Sequence, residues 1–136
     1  MDRQLIGTDW SVLIDPGFNR KADGGDIVFW TADRSIYASV FKTTESDAEQ
    51  AIDRMIEGRP GIPVQIFDRD ERGLRGHAYL LPEVCQGHKY WGLNTWTAAI
   101  GEIACVTIYF DNFNDLNWAI QLWKSIRPQQ RDHATN

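Results

Sequence analysis

Two cysteines, three histidines and nineteen carboxylate side chains are the groups through which this chain could do chemistry. A thiolate–imidazole pair would need Cys85 or Cys105 beside His77 or His88. Neither cysteine stands at a predicted helix N-terminus, the setting that lowers a thiol pKa, so inert buried thiols are the expectation. For acid–base work, His77 and Glu83 lie six residues apart on one predicted strand, hence on one face of it. About 20 Å separates them, far beyond hydrogen-bond reach. Glu102 opens a neighbouring strand and could approach either one. A small enzyme or ligand-binding protein would have to gather His77, Glu83, Cys85 and Glu102 in a cleft between sheet and helix. Spacing alone positions no nucleophile against a base, and no catalytic residue is assigned.

Metal and cofactor signatures are thinner still. Asp68-x-Asp70-x-x-Gly73 begins like a calcium loop, but the third acidic position and the terminal bidentate glutamate are missing. A solvated hairpin tip is the better reading, and Asp23-Gly24-Gly25-Asp26 is likewise a turn. His77 and His88 have no His-x-x-x-His or Cys-x-x-Cys companion, so no metal site is read. No Gly-x-Gly-x-x-Gly, Walker loop or Gly-x-Ser-x-Gly elbow occurs, and no cofactor is expected.

The elements that must position these residues follow from periodicity and turn chemistry. Trp10–Ile14 reads as a strand closed by Asp15-Pro16-Gly17, and 19–25 as a polar, glycine-rich loop. Residues 26–31 and 35–43 form a hairpin through Ala32-Asp33-Arg34. In its second arm Ile36, Ala38 and Val40 line one face and Tyr37, Ser39 and Phe41 the other. Such a strand is covered on both sides, or partly covered by a partner. Ser46-Asp47-Ala48-Glu49 is a capping box opening a helix of about three turns. Its apolar stripe is Ala48, Ala51, Ile52, Met55 and Ile56, and Gly58 and Pro60 end it.

A second hairpin joins 62–67 to 74–84 through the charged turn Asp68-Arg69-Asp70-Glu71-Arg72-Gly73, with Pro82 closing or bulging its return strand. After a Gln86-Gly87-His88 loop, 90–98 and 102–110 are strands around Ile100-Gly101. Asp111 or Asn112 caps a final helix that carries Leu116, Ala119, Ile120, Trp123 and Ile126 on one stripe and ends at Pro128. The sum is an α+β domain over 1–128. It has a mostly antiparallel sheet of about six or seven strands with two helices packed on it, a three-layer sandwich if they take opposite faces. The polar tail 129–136 is expected to be mobile.

A chain of 136 residues is about one domain with a core of its own. A net charge of −5 with scattered Lys and Arg lacks the positive footprint that nucleic acid requires. No stretch approaches a membrane span. Met1 is followed by Asp2-Arg3-Gln4 without an apolar export segment, so cytoplasmic residence with free thiols is the expectation. Six Trp, six Phe and four Tyr must be buried or used in binding. Trp30, Trp91, Trp96, Trp118 and Trp123 are assigned to packing, with Tyr90 and Trp91 the pair nearest a surface. Asp68, Asp70, Glu71, His88, Tyr90 and Trp91 are the expected partner-binding residues.

The order of hairpin, capped helix and antiparallel strands leads to the closing run Tyr109-Phe110-Asp111-Asn112-Phe113-Asn114-Asp115-Leu116 and then Trp123-Lys124-Ser125-Ile126. This layout resembles small bacterial α+β domains of the PsbP-like architecture, among them immunity proteins that neutralise secreted toxins. The resemblance covers most of the chain, carries no active residue onto it, and departs from secreted or lumenal members in lacking an export signal. It implies a protein partner, a toxin or secreted effector, blocked by a non-enzymatic cytoplasmic immunity protein or adaptor. A structural subunit of a homo-oligomer is the third reading, beside that one and the small enzyme.

Overall fold

The computed structural model describes residues 1–45, 47–71 and 73–129. In chain order the elements are β1 (Asp2–Ile6), β2 (Trp10–Ile14), β3 (Asn19–Asp23), β4 (Asp26–Trp30), β5 (Arg34–Lys42) and α1 (Ala48–Glu57). There follow β6 (Gln65–Glu71), β7 (Leu74–Cys85), β8 (His88–Ala99), β9 (Glu102–Phe110), α2 (Leu116–Lys124) and β10 (Arg127–Pro128). Seven strands form one sheet in the order β3-β4-β5-β9-β8-β7-β6, and β1-β2-β10 form a second. Every pairing in both is antiparallel.

Tight turns set the register of the large sheet. Between β7 and β8 only Gln86 and Gly87 intervene, with φ of 51° and 80°, the left-handed pair that a two-residue hairpin requires. His88 is therefore the first residue of β8, where a loop was expected, and pairs with Cys85. Strand β7 runs straight through Pro82, which faces Trp91 in unbroken register instead of closing or bulging the strand. Pairing to β6 has stopped at Leu80, so no neighbour on that side waits for the amide hydrogen that proline lacks.

Alternation along the strands sorts the sheet into two unlike faces. Toward one side point Ile36 and Ala38 of β5, Ala78 and Leu80 of β7, Leu93 of β8, and Ala104, Val106, Ile108 and Phe110 of β9. They pack against Leu116, Ala119, Leu122 and Trp123 of α2 and against Ile6, Trp10, Val12 and Ile14 of the small sheet. On the other side α1 seats Ala51 and Ile52 on Ala98 and Ile103, with Trp96 and Cys105 beside them. The helices thus lie on opposite faces. Three layers result: α1, the seven-stranded sheet, and α2 with the small sheet.

Several boundaries differ from the sequence reading for physical reasons. Strand β3 replaces the expected loop at 19–25: its residues are all exposed, so no apolar period betrayed it. The edge strand β1 was likewise unread. Strand β6 starts at Gln65 and continues through the acidic run to Glu71, which pairs with Leu74. Asp47 caps α1 by accepting from the Gln50 amide at 2.8 Å, one position later than the capping box placed it, and Ser46 lies outside the described residues. Asn112 caps a 3-10 turn at Phe113–Asp115 that feeds α2. Helix α2 ends at Lys124, where the Ser125 hydroxyl donates to the Leu122 carbonyl at 2.6 Å and accepts from the Leu13 amide at 3.0 Å. Arg127–Pro128 then pairs with β2 instead of extending the helix. Of the 129–136 tail, all beyond Gln129 falls outside the described residues.

Trp123 ties the layers together. It is fully buried, and its indole N–H donates to Thr97 Oγ1 at 3.0 Å. A Thr97→Val substitution keeps the shape and strands that donor, so unfolding by denaturant should show a loss of about 1–3 kcal/mol. A midpoint unchanged from wild type would contradict this account.

Candidate functional site

Helix α1 covers only one end of its face of the sheet, resting on β7 and β8. The remainder is open, and register places all four tyrosines of the chain on that face: Tyr37 on β5, Tyr79 on β7, Tyr90 on β8 and Tyr109 on β9. Tyr79 is buried beneath the covered end, while Tyr37 is 42% and its strand neighbour Phe41 56% exposed. The two-sided apolar pattern of β5 therefore reflects partial exposure, since α1 rests mainly on β7 and β8.

Tyr109 is the hub. Its ring makes edge contacts with Tyr37 (centroids 5.8 Å, planes at 78°) and with Tyr90 (5.6 Å, 73°). Gly92, its cross-strand neighbour, is what lets it lie down: a Cβ there would come within 3.1 Å of the Tyr109 ring and 3.6 Å of Glu83 Cγ. His88 stacks on Tyr90 at 5.8 Å and shares a 3.0 Å hydrogen bond between Nε2 and Asp111 Oδ1. Tyr37, Tyr90, Tyr109, His88 and Asp111, with Ser35 and the 31–34 turn that includes Asp33, line an open cleft of about 430 Å³.

Charge in the cleft is unbalanced. Asp33 Oδ1 accepts from the Thr31 hydroxyl at 3.2 Å, and Asp111 is engaged by His88. Arg34 lines the cleft wall, but its guanidinium is held on the opposite side of β5. There it grips Asp115 through two hydrogen bonds of 3.1 and 2.8 Å and lies 4.3 Å over the Trp118 ring. That bidentate partner raises the Arg34 pKa further. Burial, reinforced by the Glu83 charge, raises the phenol pKa of both Tyr90 and Tyr109. Burial also raises that of Tyr79, against the opposing pull of Arg59. Each therefore stays a neutral hydroxyl, able to donate and accept.

A Ser35–His88–Asp111 relay is not assembled. Strand β9 lies between β5 and β8, two strand spacings or about 10 Å, and no hydrogen bond joins Ser35 to His88.

The residues singled out from sequence fall into separate places. His88 and Tyr90 enter the cleft, whereas Trp91, one position along β8, points to the other face and packs edge-on against Phe113 at 5.1 Å. Asp68, Asp70 and Glu71 sit on β6, the far edge strand, each already engaged. Glu71 grips the buried Arg69 through bonds of 2.6 and 3.3 Å, which lowers its pKa, while Arg69 also donates to the Trp123 carbonyl. Asp70 pairs with Arg75. Asp68 accepts from His77 Nδ1 at 2.9 Å, and Arg59 lies 2.8 Å from His77 Nε2. Since a guanidinium can only donate, Nε2 must accept, and the ring proton sits on Nδ1. Both imidazole nitrogens are thereby occupied.

Nor do the acid–base candidates converge. His77, Glu83 and Cys85 share a face of β7, but Glu102 lies on the opposite face of β9. It is about 30 Å from Glu83, counted as nine residues along β8. Cys85 and Cys105 are about 26 Å apart on the same count and remain free. Among the described residues no three His, Cys, Asp or Glu side chains converge on a metal position. None of the helices they form is long and apolar enough to cross a membrane.

Tyr37, Tyr109, Asp33 and Asp111 were not singled out from sequence. One signal was available: on β5 and β9 the face bearing Tyr37 and Tyr109 also carries Ser35, Ser39 and Thr107, in place of the aliphatic residues opposite. It becomes a cleft only once register sets β5, β9 and β8 side by side.

No family model matches the chain, and neither does any curated protein sequence. Among solved structures it is similar to a crystal structure of a protein from Bacteroides thetaiotaomicron, with a TM-score of 0.71 at 13% identity. The match covers 90% of this chain and 46% of that one, so this chain spans just under half the neighbour's length. At such identity the likeness shows the α+β fold alone.

Two measurements check the site chemistry. Alkaline titration followed by phenolate absorbance should show Tyr79, Tyr90 and Tyr109 ionising above the ordinary value of about 10. Because the unfolded chain then ionises first, their contribution to stability is intact below about pH 10 and is lost as pH rises through the folded values. Phenolate from these residues in folded protein below that pH would contradict the placement. For the thiols, burial pushes Cys105 up to about 11 while Cys85 is exposed. A thiol reagent at pH 8 should therefore label Cys85 quickly and Cys105 only on unfolding. Equal labelling rates in the native state would be the contrary result.

Proposed function

We propose that this chain is a non-enzymatic binding protein that engages a partner protein through the uncovered, tyrosine-bearing half of its large sheet. One observation carries the reading: Tyr37 and Tyr90 both contact Tyr109 around an open cleft rimmed by Asp33, His88 and Asp111. Tyrosine offers a large apolar ring with a polar tip and only two side-chain torsions to immobilise, which suits a surface that must be wet when free and dry when bound. The exposed Phe41 extends the same face.

The partner class is a toxin or secreted effector, on the PsbP-like resemblance, and the net charge of −5 favours a basic one. A cytoplasmic setting belongs to the same proposal and accords with an exposed, unpaired Cys85.

The test is affinity capture with the full chain from a lysate of its own source, comparing wild type, a Tyr37→Ser/Tyr90→Ser double variant and a control substituted at an exposed position of the opposite layer, Lys124→Ser. Wild type and control should retain one stoichiometric partner, and the double variant should lose it by ~10-fold or more, the size of effect expected when anchor rings are removed. No stoichiometric partner, or one kept equally by the double variant, would sink the reading.

A further inference from the structure

We propose that the cleft between Tyr37, Tyr90 and Tyr109 receives a cationic side chain, arginine or lysine, presented by the partner protein; this rests on the binding reading above. The first argument is ring geometry. With Tyr37 and Tyr90 both nearly perpendicular to Tyr109, the three rings form walls facing different directions instead of a flat stack. A cation lodged among the rings can lie over the negative face of one of them, an attraction that strengthens as water is excluded.

The second argument is charge. Three carboxylates flank the rings: Asp33 and Asp111 on the cleft rim, and Glu83, cross-strand neighbour of Tyr90, on the far side. Among the described residues Glu83 has no ion pair or hydrogen bond, and the one side-chain hydrogen bond to the Asp33 carboxylate comes from a neutral hydroxyl, with the Arg34 charge acting on it without contact. Among the described residues Arg34 is the one arginine or lysine of the cleft wall, and it is paired with Asp115 on the other face of β5. His88 engages a single oxygen of Asp111.

The third is a comparison within the same face. Trp30 has Lys21 over its ring at 5.6 Å, and Tyr79 has Arg59 at 5.7 Å. Among the described residues the central trio, with the greater share of carboxylates, has no such cation. The complement, missing among the described residues, is supplied by the partner. A protein-borne cation fits better than a free small one, because the cleft is open and continuous with exposed Tyr37 and Phe41, contact area that a small ion would leave unused.

The experiment is an NMR titration of the full chain that follows the ring resonances of Tyr37, Tyr90 and Tyr109. The probes are blocked tripeptides whose middle residue, between two glycines, is arginine, lysine, citrulline or glutamine. The arginine and lysine peptides should shift all three rings saturably and bind ~10-fold more tightly than the two neutral ones, weakening as salt is raised. An Asp33→Asn/Asp111→Asn variant, altered only at exposed positions, should lose that preference while its folded spectrum is kept. Neutral peptides that bind as well as the cationic ones would overturn the cation and leave the binding face standing. Rings silent to all four peptides would also overturn it, as would choline binding as tightly as the arginine peptide. The face itself fails separately, if the Tyr37→Ser/Tyr90→Ser variant keeps its captured partner.

Discussion

Trp123 seats one whole layer of the molecule on the large sheet. Its indole lies against Gly76, where a Cβ would come within 3.0 Å of the ring and 3.2 Å of the Trp96 carbonyl, so a bare backbone is the only floor that fits. The indole N–H is satisfied by Thr97 and the main-chain carbonyl by Arg69, whose charge is balanced in turn by Glu71. A buried ring of this size contributes about 3–5 kcal/mol, a large part of the 5–15 kcal/mol that holds a domain folded. Once α2 is fixed there, Ser125 ties its end to β2, Arg3 of β1 donates to the Ser125 carbonyl, and the small sheet closes the layer.

The unequal covering of the two faces follows. Helix α2 and three strands share one face, leaving the ten residues of α1, about 15 Å of helix, for the other. Seven strands at about 4.8 Å spacing span roughly 29 Å, so α1 cannot shield them all. Residues on the unshielded half must tolerate water while still packing against their strand neighbours. Tyrosine, serine and threonine do both. The open cleft is thus a consequence of the length of α1 against the width of the sheet, and the same exposure is what makes it the proposed binding surface.

Much of this architecture was legible along the chain. The stripe of α1, the hairpin of β4 and β5, and the passage from β9 into α2 all repeat with their proper periods over enough residues to be recognised. What escaped reading did so for local reasons. Asn19–Asp23 is a strand without an apolar face, held by its ladder to β4 alone. The run Asp68-Arg69-Asp70-Glu71 looks like a solvated tip, yet alternation sends Arg69 inward while Asp68 and Asp70 point to the other face. Burial of that arginine is tolerable only because Glu71 and the Trp123 carbonyl, 54 residues away in the chain, meet it there. Tyr90 and Trp91 looked like one surface pair, but adjacent residues of a strand face opposite ways.

By itself, the amino-acid order determined the secondary elements with strong period, the antiparallel α+β class and the supply of aromatic and acidic side chains, because these depend on neighbours within a few residues. Only the tertiary structure decided which rings meet. Tyr37, Tyr90 and Tyr109 come from three strands, and their contact depends on the register of β5, β9 and β8 and on the absence of a side chain at Gly92. A one-residue slip would turn any of them to the opposite face. Register is set by hairpin turns and by the packing of the whole buried face, and no local pattern around a tyrosine records it.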